Sequence, residues 1–344
     1  MKTKNVNFPL VSIIVVNYNG RRFLKDCFSS LLNLNYPKNK LEIIMVDNGS
    51  QDGSVTYVRR YFRKVKIIKN KKNNYAQANN LGILRSKGEF IALVNNDTKA
   101  DKNWLIPLVR LAKKDKRIGA VGSKILLPDG RLQSFGQKDY YDFFWGDRGL
   151  GDRADSPEYN VVVEVEGLCG AAVLFRRECF EDVGLLDEDF NMVYEDVDIG
   201  LRCRKKGWKL FICPDSIIYH KFHGSINRGG GISYWVRRNR LLFIAKHWPE
   251  KLPQAFVNKF EFTMETDFST NNSAALINIL GDVVLKVLKE KGLRKFIAIA
   301  PQLFNTVSRL YRIEKKYLFE IIRRQNDLLA KNMQGRSGII FKKQ

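Results

Sequence analysis

The chain has 344 residues, 44% hydrophobic and 12% aromatic, enough for one large domain or a domain with an appendage. Lysine and arginine number 59 against 36 acids, a net charge of +23, so an anionic partner is expected: nucleic acid, an acidic membrane surface or phosphorylated substrates. Five scattered cysteines without a C-x-x-C pair argue against a disulfide or zinc framework, and no apolar run reaches the roughly 18–20 residues of a membrane span.

The start, "MKTKNVNFPLVSIIVV", pairs a charged end with a short apolar run. It passes straight into "NYNG" with no small-residue cleavage site, so it reads as a buried strand rather than a signal peptide, and a cytoplasmic protein is expected. "VSIIVVN" is the unbroken apolar run of a strand buried on both faces. "RRFLKDCFSSLLNL" has helical spacing, "LEIIMVDNGS" is a second strand, and "DGSVTYVRRYF" opens with Asp52 as N-cap. "VKIIK" and "EFIALVNND" are further strands, with "YAQANNLGILRSK" and "DKNWLIPLVRLAKK" the helices after them. Such β–α alternation predicts an α/β fold with a mostly parallel sheet and helices on both faces. Three strands end in polar residues, at "NYNG", "VDNGSQDGS" and "NNDT", which gathers polar groups on the edge where such sheets bind ligands.

The middle changes character. "LLPDGRLQS" reads as a hairpin around Asp129-Gly130, and "DFFWGDRGLGDRADSPEYN" as a mobile loop. "VVVEVEGLCGAAVLFRRE" gives a strand and a tight glycine turn. "MVYEDVDIGLR" then concentrates Glu195, Asp196 and Asp198 ahead of a helix expected over 196–206, and "WKLFICP" and "SIIYH" read as two strands. From about Gly229 the chain is helical and basic. Residues 291–344 hold 13 Lys and Arg against three acids, as expected of helices on an anionic membrane surface or of a basic appendage packed on the main domain. The expected division is 1–250 for a catalytic domain and 251–344 for the basic helical region.

Two carboxylates end strands. Asp97, in "NND", can hold a divalent cation or cap the following turn; Asp47 can accept the imide N–H of a pyrimidine or belong to a common D-x-G-S turn. The order of "VSIIVVNYNG", "EIIMVDNGSQDGS", "NNYAQANNLGI", "GEFIALVNNDT", "GAAVLFRRECFEDVGLLDEDF", "YEDVDIGLRCRKKGW" and "PDSIIYHKFHGS" resembles family 2 glycosyltransferases, whose catalytic domain has the GT-A fold. The likeness covers about residues 10–250 and is closest to the rhamnosyl- and galactofuranosyltransferase-like branch.

That resemblance implies Asn17, Tyr18, Asn19 and Asn96 at the nucleotide, Asp47 at its base and Asn79 near the donor's phosphates or sugar. It makes Asp97 a metal ligand for Mn2+ or Mg2+, with His220 completing the site and His223 as the alternative. The family's D-x-D reads Asn95-Asn96-Asp97 here, so its first carboxylate is missing. Asp196 becomes the general base of an inverting transfer, and Glu195 positions it or holds the acceptor. Asp198, about 200° around the helix at roughly 100° per residue, faces elsewhere. Gly167, Gly170 and Ala171 allow close approach of the donor sugar. Trp145 and Tyr194 are candidates for the acceptor. The implied partners are a UDP- or dTDP-sugar and a glycan or lipid-linked acceptor, at the inner face of the cell membrane and in polysaccharide or cell-envelope synthesis.

Other functions fit less well. Nucleotidyl transfer on a similar sheet wants a basic glycine-rich loop where "NYNG" stands. A nucleic-acid binder wants basic residues interleaved with aromatics, or a reader motif, and neither is present. An inactive scaffold should have lost Asp97 or Asp196, and both remain.

Overall fold

The computed structural model describes residues 8–222, 231–257 and 273–311. His223 and the part of the basic tail beyond residue 311 lie outside them. The chain divides into two compact units, residues 1–232 and 233–344.

The first unit is built on one long sheet. Strands β1 (Val11–Asn17), β2 (Leu41–Asp47), β3 (Lys66–Lys69) and β4 (Phe90–Asn95) pair in parallel in the order β3-β2-β1-β4. Every residue of β1 is buried, which is why its run is apolar without alternation. Its side chains still divide by parity. Val11, Ile13 and Val15 enter one apolar layer with Leu24, Cys27, Phe28 and Leu31 of α1 (Arg21–Leu32), Val58 of α2 (Ser54–Tyr61) and Leu105 and Leu108 of α4 (Leu105–Ala112). Ile14 and Val16 enter the opposite layer with Ala76, Ala78 and Ile83 of α3 (Tyr75–Arg85), Phe180 of α5 (Arg177–Val183) and Ile199 of α6 (Glu195–Lys205). Helices therefore cover both faces.

Beyond β4 the sheet is mixed. β11 (Ala172–Arg176) runs antiparallel between β4 and β6 (Ile118–Leu126), and β12 (Lys209–His220) returns parallel to β6. β5 (Thr98–Ala100) pairs antiparallel with β12, β7 (Leu132–Ser134) with β6, and β10 (Val163–Glu164) with the outer side of β12. The expected hairpin at Asp129-Gly130 joins β6 to β7. The two strands expected at "WKLFICP" and "SIIYH" are one. Pro214 falls where the β12–β6 register shifts between Cys213 and Ile217, and the strand passes through that irregularity. The segment read as a loop holds β9 (Trp145–Asp147), which pairs with β8 (Gln137–Asp139). Phe135 N–H donates to the Arg148 carbonyl and Arg148 N–H to that of Gly136, each at 2.9 and 2.8 Å respectively, so the segment is fastened along its length.

Asp52 caps differently from the expectation. Gly53 occupies the N-cap of α2 with φ 81°. Asp52 Oδ1 still accepts from Ser54 N–H at 3.0 Å, and its Oδ2 accepts from Arg21 N–H at 2.8 Å, so one carboxylate serves the starts of both α1 and α2.

The described part of the second unit is helical: α7 (Gly231–His247), which begins just before it, α8 (Leu252–Val257) and α9 (Ser273–Tyr311), whose helical course is interrupted at Gly292 with φ 78°. The sequence boundary at 250/251 falls after α7. Leu241, Leu242, Phe243 and Ile244 are buried, and Arg238 pairs with Asp282 at 2.6 Å. No helix among the described residues is long and apolar enough to cross a membrane.

Candidate active site

β1 and β2 end in register, with Asn17 opposite Asp47. Asn17 is fully buried; its Oδ1 accepts from Asn96 Nδ2 at 2.7 Å and its Nδ2 donates to Ser50 Oγ at 3.0 Å. Ser50 Oγ also accepts from Asn19 N–H at 3.0 Å, and Asn19 Oδ1 from Gln51 N–H at 2.7 Å. Close approach requires glycine at 20, where a Cβ would lie 2.1 Å from Asn96 Nδ2. Tyr18 stands exposed at this edge. Asp47 is buried, and its Oδ1 has no hydrogen-bond partner among the described residues, so an acceptor is available for a ligand N–H. Asn79 is different. It is buried in α3 and its Nδ2 donates to the Tyr75 carbonyl at 3.0 Å, so its amide is turned into its own helix.

The turn after β4 and the end of β12 bring Asp97 and His220 together, with Oδ1 and Nε2 3.0 Å apart and both residues buried. Adjacent ligands on an octahedral ion with bonds of about 2.1 Å stand about 3 Å apart, so the pair fits two positions on one divalent cation. Among the described residues no group of three or more His, Cys, Asp or Glu forms a metal cluster. Substrate phosphate and water would have to complete the coordination, as is usual for such ions. His220 Nδ1–H donates to Gln133 Oε1 at 2.7 Å, and Asn95 Nδ2 lies 3.4 Å from Nε2 while its Oδ1 accepts from Tyr75 O–H at 2.8 Å.

The start of α6 carries the acids. Asp196 Oδ2 accepts from Gly170 N–H at 2.9 Å and Gln137 Nε2 at 3.1 Å, and Oδ1 from Val197 N–H at 2.9 Å. Burial still lifts its carboxyl above the ordinary range, against the pull of those donors. Glu195 borders the same cavity as Asp196. Its Oε2 has no hydrogen-bond partner among the described residues, and the small cavity is also lined by Leu93, Val173, Phe175, Ile199 and Leu210. Burial, with the charge of Asp196, drives its carboxyl well above the usual range. Asp198 faces away as expected and pairs with Arg202 at 2.8 Å. Ahead of α6, Asn191, Val193 and Tyr194 all have positive φ (60, 66 and 73°), a conformation that a β-branched valine adopts only under constraint. Asn191 is tied down through its carbonyl and Oδ1, which accept from Ala76 and Tyr75 N–H at 2.8 and 3.1 Å.

Tyr194 is buried, and its hydroxyl donates to the Phe143 carbonyl at 2.8 Å. Trp145 is half-buried, beside Gly167 and with the Arg204 guanidinium 6.0 Å from its ring centre. Ala171 is buried at the start of β11.

Three site residues escaped the sequence reading: Gln133, Gln137 and Asp147. Gln133 touches His220 and Gln137 touches Asp196, so one short segment links the Asp97–His220 pair to the acids. Asp147 Oδ2 accepts from Gln133 Nε2 at 3.4 Å, and its Oδ1 has no hydrogen-bond partner among the described residues. Burial pushes its carboxyl up to about 6, the charge of Asp196 adds to this, and Ser134, Gln133 and His220 oppose it. The only sequence signal was an aspartate two residues after a tryptophan in a glycine-rich stretch.

The family model described as "Glycosyl transferase family 2" matches residues 12–184. A protein of Sinorhizobium fredii named "Uncharacterized protein y4gI" is 30% identical over 232 residues, 64% of this chain and 25% of its own length. The O-antigen biosynthesis protein RfbC of Myxococcus xanthus is 30% identical over 243 residues, 66% of this chain and 19% of its own. The matched region thus spans a quarter or less of these two relatives. Among solved structures, GalNAc-T7 with UDP, GalNAc and Mn2+ superposes with a TM-score of 0.60 at 18% identity, covering 89% of this chain and 59% of that one. S. aureus TarS 1-349 superposes with a TM-score of 0.53 at 17% identity, covering 97% and 93%. At these identities the two structures speak for the fold.

Proposed function

The chain belongs to glycosyltransferase family 2, and on that premise we propose that it moves a sugar, with inversion, from a UDP- or dTDP-sugar to a hydroxyl of a glycan or lipid-linked acceptor. The observation that carries this reading is the segment of β7 and β8 that touches His220 through Gln133 and Asp196 through Gln137. It joins a candidate diphosphate site to a carboxylate suited to proton abstraction.

In the proposed reaction the acceptor oxygen attacks the anomeric carbon from the face opposite the nucleotide. The bond from that carbon to the phosphate oxygen breaks, and its electron pair leaves with the nucleoside diphosphate. The acceptor's proton passes to Asp196. The Gly170 N–H and Gln137 amide orient the Asp196 carboxylate, and its raised proton affinity strengthens it as a base. Asn17, Asn19 and Asn96 shape the nucleotide edge, and Asp47, whose buried Oδ1 has no hydrogen-bond partner among the described residues, accepts the base's imide N–H. Asp97 and His220 would hold Mn2+ or Mg2+, which when bound would supply positive charge against the departing diphosphate. Tyr194, buried and already bonded, fixes the loop before α6, while Trp145 remains the candidate acceptor contact.

An anionic membrane surface is the proposed setting. Leu293 and Ile297 are exposed one helical turn apart on α9 among Lys291, Arg294 and Lys295, a pattern suited to acidic lipid. The O-antigen role named for the Myxococcus xanthus relative supports cell-envelope synthesis.

The test is a thermal-shift screen of nucleotide sugars with and without Mn2+, on wild type, Asp97→Ala and Asp196→Asn. One UDP- or dTDP-sugar should stabilise wild type with metal, Asp97→Ala should lose the metal effect, and Asp196→Asn should still bind. No shift with any nucleotide sugar would remove the transferase reading.

A further inference from the structure

His220 can serve a cation through Nε2 only if that atom carries a lone pair. A neutral imidazole has one proton for two nitrogens, and the environment chooses which one holds it. Here Nδ1 lies 2.7 Å from Gln133 Oε1, an oxygen that can only accept. That contact calls for a proton on Nδ1. On the other side, Asn95 Nδ2 points at Nε2 from 3.4 Å, because the Asn95 carbonyl is engaged by Tyr75 O–H. An amide N–H directed at Nε2 calls for a lone pair there, whereas the Asp97 carboxylate 3.0 Å away calls for a proton; a divalent cation held by Asp97 and Nε2 would remove that second demand.

An amide can turn over, and if Gln133 did so its NH2 would face Nδ1 and select the wrong tautomer. Asp147 prevents this. Its ionised carboxylate accepts only, and it lies 3.4 Å from Gln133 Nε2. Gln133 is 1% exposed, so water does not compete for either end of the amide. We propose that Gln133 and Asp147 are positioning residues for the metal: Gln133 holds the proton on Nδ1 of His220, and Asp147 fixes the direction of the Gln133 amide, so that Nε2 faces Asp97 as a ligand. Partners behind a ligating histidine commonly govern metal affinity in this way. The inference rests on the metal reading of Asp97 and His220, and its test separates the two.

Mn2+ uptake by the full chain, followed by electron paramagnetic resonance of the free ion, is measured for wild type, His220→Ala, Gln133→Leu, Asp147→Asn and the double variant Gln133→Glu/Asp147→Asn. Gln133→Leu should weaken Mn2+ binding by about 10–100-fold. Asp147→Asn should weaken it less. The double variant exchanges carboxylate and amide but keeps both hydrogen bonds, so it should recover affinity to within a few-fold of wild type. A metal-free readout accompanies this. The chain has only three histidines, so 15N-histidine NMR at pH 8 can locate the His220 proton. The Nδ1–H population should be larger in wild type than in Gln133→Leu, which leaves only the Asp97 carboxylate to claim the proton, at Nε2. If wild type takes up no Mn2+, the metal reading falls and this inference with it. If wild type binds, His220→Ala does not, and Gln133→Leu binds as wild type with Nδ1 still protonated, the metal reading stands and this inference is overturned.

Discussion

The edge formed by β1, β2 and β4 and the pocket at the start of α6 solve opposite problems. Around the unpartnered carboxylate oxygen of Asp47, the edge is built of neutral polar groups that satisfy one another: Asn96 with Asn17, Asn17 with Ser50, Asn70 with Asn48. Paired amides in a buried network cost little and hold a shape. The pocket at α6 instead collects Asp147, Glu195 and Asp196, all with raised proton affinity, beneath a loop with three positive-φ residues. On the proposed reading, the region that recognises the donor is a satisfied amide network, whereas the region that moves the proton is kept electrostatically uncomfortable.

The sharpest way to break the comparison is Asp196→Asn. If the α6 pocket does the chemistry and the strand edge the binding, kcat for transfer should fall about 10³-fold while donor affinity changes by less than about twofold. A comparable loss of donor affinity would merge the two regions. In wild type, kcat should fall as pH drops through the raised Asp196 pKa, since only the ionised form accepts the proton. That acid limb should lie above the range of an ordinary aspartate.

Asp147→Asn tests the cost of the pocket. A carboxyl raised from 3.8 to about 6 in the folded chain binds its proton more tightly folded than unfolded. Its destabilising contribution is absent below about pH 4, grows between pH 4 and 6, and is constant above, reaching about 3 kcal/mol. In metal-free protein the variant should therefore unfold at higher denaturant than wild type at pH 7.5 and lose that advantage at pH 4. A variant no more stable at pH 7.5 would show that Asp147 is not held under strain.

The two regions also differed in how far the sequence revealed them. β1, β2 and β4 are buried on both faces, and runs such as "VSIIVVN" have no other reading; their polar ends marked Asn17, Asp47 and Asp97 directly. Gln133, Gln137 and Asp147 sit on strands of three residues each, too short for any periodicity to register. Their convergence comes from the chain doubling back between residues 132 and 151, a long-range event with no local signature. Pro214 concealed the continuity of β12 because a proline normally ends a strand.

Away from the pocket, Asp52→Ala should remove a carboxylate shared by the starts of α1 and α2, costing about 1–2 kcal/mol with kcat unchanged. Burial works against this carboxylate, but hydrogen bonds from Ser54 and Arg21 leave its pKa lowered overall. The contribution is present above the unfolded pKa and is lost as pH falls through the folded one, so the variant and wild type should converge in strong acid.

The smallest effect is expected immediately beside the largest. Glu195 and Asp196 are neighbours in sequence, but only Asp196 meets donors; Glu195 has an unpartnered oxygen in an apolar setting. An ionised carboxylate there would be far more costly than a neutral one, so the setting favours the protonated form of Glu195. Glu195→Gln then exchanges one neutral group for another of nearly the same shape. Stability should change by less than about 1 kcal/mol, and the acid limb of kcat should stay in place. A charged Glu195 would behave otherwise, because removing its charge would lower the pKa of Asp196 and move that limb to lower pH. The position of the limb in Glu195→Gln thus decides whether the paired acids share a charge or divide the work, with Asp196 carrying the proton and Glu195 filling the space behind it.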